Sequence, residues 1–192
     1  MSHKSTRRIL NDIKQYNNSD LKDNGIYVIF NEDNIYNCKA MIVGPKDTPY
    51  AYGYYFFDIN FPNNYPIKNP RVDFCTIDER VRFNPNLYKN GKVCLSILNT
   101  WKGEQWTSCN TLSSVLLNVA TLFTKQPFLH EPGITESHES FQDYTDVVEY
   151  QSFNTAIYSV LTDEEFLERI QPMGELFKNV IKETFIENSK SI

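Results

Sequence analysis

The sequence predicts an α+β fold with segregated elements: an N-terminal helix, a four-stranded antiparallel meander sheet, a long loop and C-terminal helices. Three observations carry this. Four short stretches rich in β-branched and aromatic residues follow one another, separated by turn residues. On either side of them, apolar residues recur at helical spacing. Between strands and later helices lie about 35 irregular residues, and a loop that long inside a compact domain is usually functional.

In chain order, residues 5–16 place Ile9, Leu10 and Ile13 on one side and Lys4, Arg7, Arg8 and Lys14 largely on others. That predicts a short amphipathic helix with a basic outer surface. Strands are expected at residues 26–30, 35–43, 54–61 and 71–74, divided by Asn24-Gly25, Gly44-Pro45 and Pro62-Asn63-Asn64. Connectors this short favour antiparallel neighbours. Residues 61–70 read FPNNYPIKNP, whose prolines exclude a sheet interior and predict a fixed, extended crossing. Helical spacing resumes over residues 111–124, with Leu112, Val115, Leu116, Val119 and Leu122 on one face and Asn110 as the expected cap. A further helix is expected at residues 140–161. Thr162, Asp163, Glu164 and Glu165 read as a capping box opening another, which Pro172 and Gly174 interrupt. Met173, Leu176, Phe177, Val180, Ile181 and Phe185 then form a stripe suited to packing on the core.

Composition narrows the possibilities. With 192 residues and 41% hydrophobic content, the chain is long enough to bury roughly 70% of its unfolded surface without staples. The cysteines Cys38, Cys75, Cys94 and Cys109 lie 37, 19 and 15 residues apart with no CxxC pair. That argues against a zinc knuckle or a disulfide framework, and for a reducing compartment. No apolar core follows the N-terminus and no continuous apolar run reaches membrane-spanning length, so neither a signal peptide nor a membrane span is expected. A net charge of −5 argues against nucleic-acid partners. The acidity is local: residues 126–168 hold ten carboxylates and no lysine or arginine, which fits either a docking face or a solvated helical face.

The loop holds the chemistry. Asn84-Pro85-Asn86 is a rigid turn presenting two amides, and Asn90-Gly91 turns the chain back so that Cys94 can approach Asn86. A thiol beside a fixed amide donor suits thioester chemistry: sulfur is nucleophile and leaving group, and the amide can stabilise oxyanion charge. A lone cysteine is also often a small core hydrophobe, the reading that fits Cys38, Cys75 and Cys109.

From residue 5 to about 160 the chain resembles the ubiquitin-conjugating enzymes. The matching pieces fall in order: the basic first helix, VGPKDTPYAYGYYFFDINFP, the FPNNYPIKNP crossing, NPN, NGKVCLSIL and QWTSCNTLSSVLLNVATLF. The RFNPNLYKNGKVCLSILNTW run, with HEPG further on, is most similar to the Z-type subgroup, in which asparagine replaces the usual histidine of His-Pro-Asn. The resemblance implies a UBC fold over residues 1–160; residues 161–192 extend past it as a helical extension, whose apolar stripe suits packing on the core better than binding a partner. It implies that Cys94 accepts ubiquitin or a ubiquitin-like modifier as a thioester. Asn86 then stabilises the oxyanion or holds the loop, and Glu131 is the acidic gate residue that orients or deprotonates the incoming lysine. Lys4, Arg7, Arg8 and Lys14 become the contact for the activating enzyme. Ile67, Trp106, Thr107 and Ser108 become the contact for a ubiquitin ligase, where the family's common Phe and Ser-Pro-Ala are absent. Ser96 and Phe83 stand where many relatives carry Asp and Tyr. Substrate proteins complete the expected partners. No metal or organic cofactor is implied, since ATP is consumed by the activating enzyme, and the expected setting is cytoplasmic or nuclear.

Two other readings fit parts of the sequence. A cysteine hydrolase would use Cys94 with His130 or His138 as base. A binding module of the same fold would recognise a modifier without carrying it.

Overall fold

The computed structural model describes residues 3–163 and 174–189. Helix α1 (His3–Asn17) leads into strands β1 (Ile26–Phe30), β2 (Asn37–Val43), β3 (Tyr54–Asn60) and β4 (Arg71–Phe74). They form one antiparallel sheet in the order β1-β2-β3-β4. The expected meander is therefore present, and the architecture is α+β. β2 starts two residues later than expected because Asn34 holds a turn, its side chain accepting from the Tyr36 amide and its carbonyl from Asn37.

Alternation along the strands sends apolar side chains to both faces. Cys38, Ala40 and Ile42 of β2 and Tyr55, Phe57 and Ile59 of β3 face a core shared with Ile9 and Tyr16 of α1 and with helix α2 (Leu112–Ala120). Met41, Tyr54 and Phe56 face the other way, against Val160, Phe177 and Ile181. The last two belong to helix α5 (Gly174–Ser189). The sheet is thus the middle of three layers.

α1 is fastened by a buried carboxylate that its apolar pattern does not reveal. Its inward residues are Ser5, Ile9, Asp12 and Tyr16, while Leu10 is exposed, contrary to expectation. Asp12 accepts from Arg8 Nε at 2.9 Å, from the Tyr65 hydroxyl and from the Leu112 amide at 3.1 Å. A buried charge is tolerated when it is paired and hydrogen-bonded in this way. Three segments (helix α1, the proline-rich crossing and the start of α2) meet on one side chain.

α2 is capped by Thr111 rather than Asn110: Thr111 Oγ1 accepts from the Ser114 amide and Ser114 Oγ from the Thr111 amide. Asn110 instead turns back, its Oδ1 accepting from the Thr107 amide at 2.8 Å. The helix expected at 140–161 is continuous but not uniform. It comprises α3 (Phe141–Gln151), a π-helical stretch (Ser152–Ser159) and the short α4 (Val160–Thr162). The wider turn brings Ser152 Oγ onto the Tyr55 hydroxyl at 2.8 Å and Thr155 Oγ1 onto Asp78 at 2.6 Å. Burial alone would raise the Asp78 carboxyl, but its bonds from Arg80 and Thr155 hold it near about 2.

On α5 the inward residues are Phe177, Ile181 and Thr184, and Phe185 is exposed, so the stripe is shifted from the one expected. Pro172, Met173 and the Glu164 and Glu165 half of the box lie outside the described residues, as does the Leu176 side chain. The Phe177 ring meets Phe56 edge-on at 5.6 Å. Phe177→Ala should cost about 3–5 kcal/mol in urea unfolding, the usual range for emptying a buried aromatic site. A loss below about 1 kcal/mol would mean that α5 contributes little to the fold.

Candidate active site

Phe74 ends the sheet, and the loop that follows is folded by its own backbone. Gly91, at φ +85°, allows the turn: its amide donates to Tyr88 at 2.9 Å and its carbonyl accepts from Phe74 at 2.7 Å. A side chain there would press on the Phe74 carbonyl at 3.1 Å. The arms pair through Tyr88 and Lys92 and then Leu87 and Val93, and the Cys94 amide donates to the Asn86 carbonyl at 2.8 Å. The expected approach of Cys94 to Asn86 is present in the backbone itself.

The two amides of the Asn84-Pro85-Asn86 turn have separate tasks. Asn84 is fully buried and fully bonded. Its Oδ1 accepts from the Asn86 amide at 2.8 Å, and its Nδ2 donates to the Leu122 carbonyl at 2.9 Å and to His130 Nδ1 at 2.7 Å. Asn86 is half-buried, and its side-chain amide bonds to nothing among the described residues. Holding the turn is Asn84's work, so Asn86 has an amide to spare. The Leu122 carbonyl used here lies just beyond α2, in the stretch where residues 121–124 leave the helix the sequence predicts. Phe83 is buried against Tyr55 and Phe74.

Cys94 is 1% exposed. All four cysteines are free thiols. Cys38 is fully buried and burial pushes its thiol well up; Cys75 is partly buried and raised to about 11. Cys109 is exposed, which corrects its expected place in the core.

Glu131 follows a 3-10 turn, Pro127–His130, and is half-buried. The Phe128 ring of that turn stacks on Tyr144 of α3 at 4.5 Å, and the Tyr144 hydroxyl donates to the Arg82 carbonyl at 2.7 Å. The residue before Glu131 bonds to Asn84. The structure therefore brings the turn that leads into Glu131 and the NPN turn together across 46 residues.

His130, expected only as a candidate hydrolase base, is instead a partner of Asn84. The other bonds of Asn84 fix its amide orientation, so His130 Nδ1 must accept and the ring is neutral with its proton on Nε2. His138 Nδ1 accepts from the Ser140 amide at 3.2 Å. Neither histidine bonds Cys94 among the described residues. Burial lowers the His130 pKa from its ordinary 6.5. Between the two values the unfolded chain takes up a proton that the folded chain does not. Stability from this group is therefore complete above about pH 6.5 and declines as pH falls below it. Urea midpoints from pH 7.5 down to 5 should fall more steeply for the wild type than for His130→Ala, and equal slopes would contradict the tie.

The expected partner faces are partly rearranged. Lys4, Arg7 and Lys14 are exposed on α1, but Arg8 is not part of that face. Its guanidinium donates to the Ser108 and Asn110 carbonyls as well as to Asp12, and lies over the Tyr65 ring. Ile67 is 77% exposed, and Thr107 and Ser108 are exposed as well. Trp106, expected in the same contact, is buried instead. Its ring packs on Tyr65 and its Nε1 donates to the Pro66 carbonyl at 2.7 Å, which fastens the two loops together. Trp101 is substantially exposed.

A sheet flanked by an N-terminal helix and α2, with a buried thiol set on an asparagine turn, defines a domain built around one loop cysteine. A family model described as ubiquitin-conjugating enzyme matches residues 8–155, and the chain belongs to that family, with the UBC fold. It is 36% identical over 166 residues, 85% of its length, to ubiquitin-conjugating enzyme E2 Z of Xenopus tropicalis. It is 41% identical over 165 residues, 83% of its length, to probable ubiquitin-conjugating enzyme protein 17 of Caenorhabditis elegans, covering 22% of that protein. To the dual E2 ubiquitin-conjugating enzyme/E3 ubiquitin-protein ligase BIRC6 of Homo sapiens it is 38% identical over 166 residues, covering 83% of this chain and 3% of that one. The similarity to E2 Z proteins bears out the Z-type resemblance. The chain spans about half the length of the E2 Z relatives, 51% for the Xenopus protein. No helix among the described residues is long and apolar enough to cross a membrane.

Proposed function

We propose that this chain is a conjugating enzyme that carries ubiquitin or a ubiquitin-like protein as a thioester on Cys94. The observation that carries the reading is the Cys94 amide bonded to the Asn86 carbonyl while the Asn86 side chain is left free. Cys94 Sγ, as thiolate, attacks the thioester carbonyl on the activating enzyme. The new C–S bond forms as the activating enzyme's cysteine leaves as thiolate. An amine of a substrate, or the thiol of a ligase, then attacks the same carbonyl, and Cys94 is the leaving group. Asn86 Nδ2 donates to the oxygen as it gains charge. Glu131 orients the amine or takes its proton.

Exchange between thioesters is nearly isoenergetic, so the site has only to orient the carbonyl and exclude water. The burial of Cys94 suits that task. No metal or organic cofactor takes part, and ATP is spent by the activating enzyme. A groove of about 550 Å³, lined by Ser96, Ile97, Gln105, Thr107, Asn110 and Asn118, offers a track for the modifier's tail. Lys4, Arg7 and Lys14 serve the activating enzyme, and Ile67, Thr107 and Ser108 a ligase. Four free thiols favour a reducing cytoplasmic or nuclear setting.

The test is incubation with ATP, ubiquitin and each activating enzyme in turn, followed by gels with and without reductant. A one-modifier increase that vanishes with reductant is expected, and the activating enzyme that works names the pathway. No adduct with any modifier would favour the binding-module reading.

A further inference from the structure

The backbone on either side of Cys94 is held by one hydroxyl. Thr100 Oγ1 accepts from the Leu95 amide at 2.9 Å and lies 2.7 Å from the Val93 carbonyl and 3.1 Å from that of Leu95. The Thr100 amide also donates to the Leu95 carbonyl at 3.2 Å. Val93, Cys94 and Leu95 are all buried, so these groups have little water to turn to. With the Cys94 amide on Asn86, the residues before, at and after the cysteine each have a fixed partner.

The loop that delivers Thr100 is itself braced. Asn99 stands in the left-handed region at φ 56°, and its Oδ1 accepts from the Trp106 amide at 2.9 Å. The Gln105 side chain donates to the Trp101 and Gly103 carbonyls. Gly103, at φ +126°, lies so close to Ser96 that an added Cβ would meet the serine Cβ at 3.0 Å. The loop therefore bears on the segment around Cys94 at two points, the Thr100 hydroxyl and Gly103.

We propose that Thr100 is a positioning residue for thioester transfer, setting the place of Cys94 Sγ by clamping Val93 and Leu95, with Gly103 closing the loop against Ser96. The proposal rests on Cys94 as the acceptor. Thr100→Val keeps the shape of the side chain but removes the hydroxyl, leaving the Leu95 amide and Val93 carbonyl without it. Small misplacements of a reacting atom are costly in rate. Thr100→Val should slow single-turnover discharge to free lysine by about tenfold, while KM for the loaded activating enzyme changes little. Thr100→Ser, which restores the hydroxyl, should restore the rate.

The experiment compares wild type, Thr100→Val, Thr100→Ser and Cys94→Ala, with thermal melts and amide exchange at Leu95. An adduct that survives in Cys94→Ala overturns the acceptor assignment and the clamp with it. An adduct lost in Cys94→Ala but discharged at the wild-type rate in Thr100→Val overturns the clamp alone. Should Thr100→Val fail to fold, Gly103→Ala and the Leu95 amide decide. Slowed discharge in Gly103→Ala with a protected Leu95 amide in the wild type supports the clamp, and unchanged discharge or a freely exchanging amide refutes it.

Discussion

Cys94→Ala is expected to give a folded protein that accepts no modifier. The side chain is buried, and removing one sulfur from a packed site costs on the order of 1 kcal/mol, well short of unfolding a domain. What disappears is the only atom at this position that can form and release an acyl bond. The loss should reach the floor of the assay, whereas Cys38→Ala, Cys75→Ala and Cys109→Ala should still load. The contrast has a physical basis: Cys38 is sealed in the core with its thiol pushed up, and Cys109 sits exposed on the surface near the end of the loop. A reductant-sensitive adduct on Cys94→Ala would move the acceptor to another cysteine.

Asn86→Ala should separate the two halves of the reaction. Loading should remain largely intact, and discharge to free lysine should slow by about 10²-fold, the usual effect of deleting one oxyanion donor. The division of labour in the turn makes this a clean substitution. Asn84 supplies the side-chain bonds that hold the loop, and residue 86 holds Cys94 through its backbone carbonyl, which alanine retains. The melting temperature should therefore stay near that of the wild type. Asn86→Asp should discharge more slowly still, because a carboxylate repels the developing negative charge. Discharge at the wild-type rate in Asn86→Ala would reduce Asn86 to a part of the scaffold.

Much of this was legible in the sequence because it is local. Short stretches rich in β-branched and aromatic residues, joined by short turns such as Gly44-Pro45, give the meander, and Asn90-Gly91 returns Cys94 to Asn86 over eight residues. What escaped the pattern depends on partners distant in the chain or on side-chain-to-backbone bonds. Asn84 and Asn86 look alike in NPN; they are told apart by Leu122 and His130, which are 38 and 46 residues from Asn84. The inward face of α1 departs from the apolar pattern at Leu10 because Asp12, a carboxylate, takes a buried position through Arg8, Tyr65 and Leu112. The same knot removes Arg8 from the basic face. A 3.6-residue period gives no warning of the π-helical stretch, which forms where Tyr55 and Asp78 reach Ser152 and Thr155. The Thr100 hydroxyl, bonded to backbone on both sides of the cysteine, has no signature in residue type or spacing.

The most direct test of the central claim is to locate the acyl bond in the wild-type protein. After loading, the chain would be digested without reductant at mildly acidic pH, where thioesters persist, and the peptides analysed by mass. The account predicts that the modifier's C-terminal residues are attached to the peptide containing Cys94 and are released by thiol. Attachment to a peptide carrying Cys38, Cys75 or Cys109, or to a lysine in a thiol-resistant bond, would contradict it.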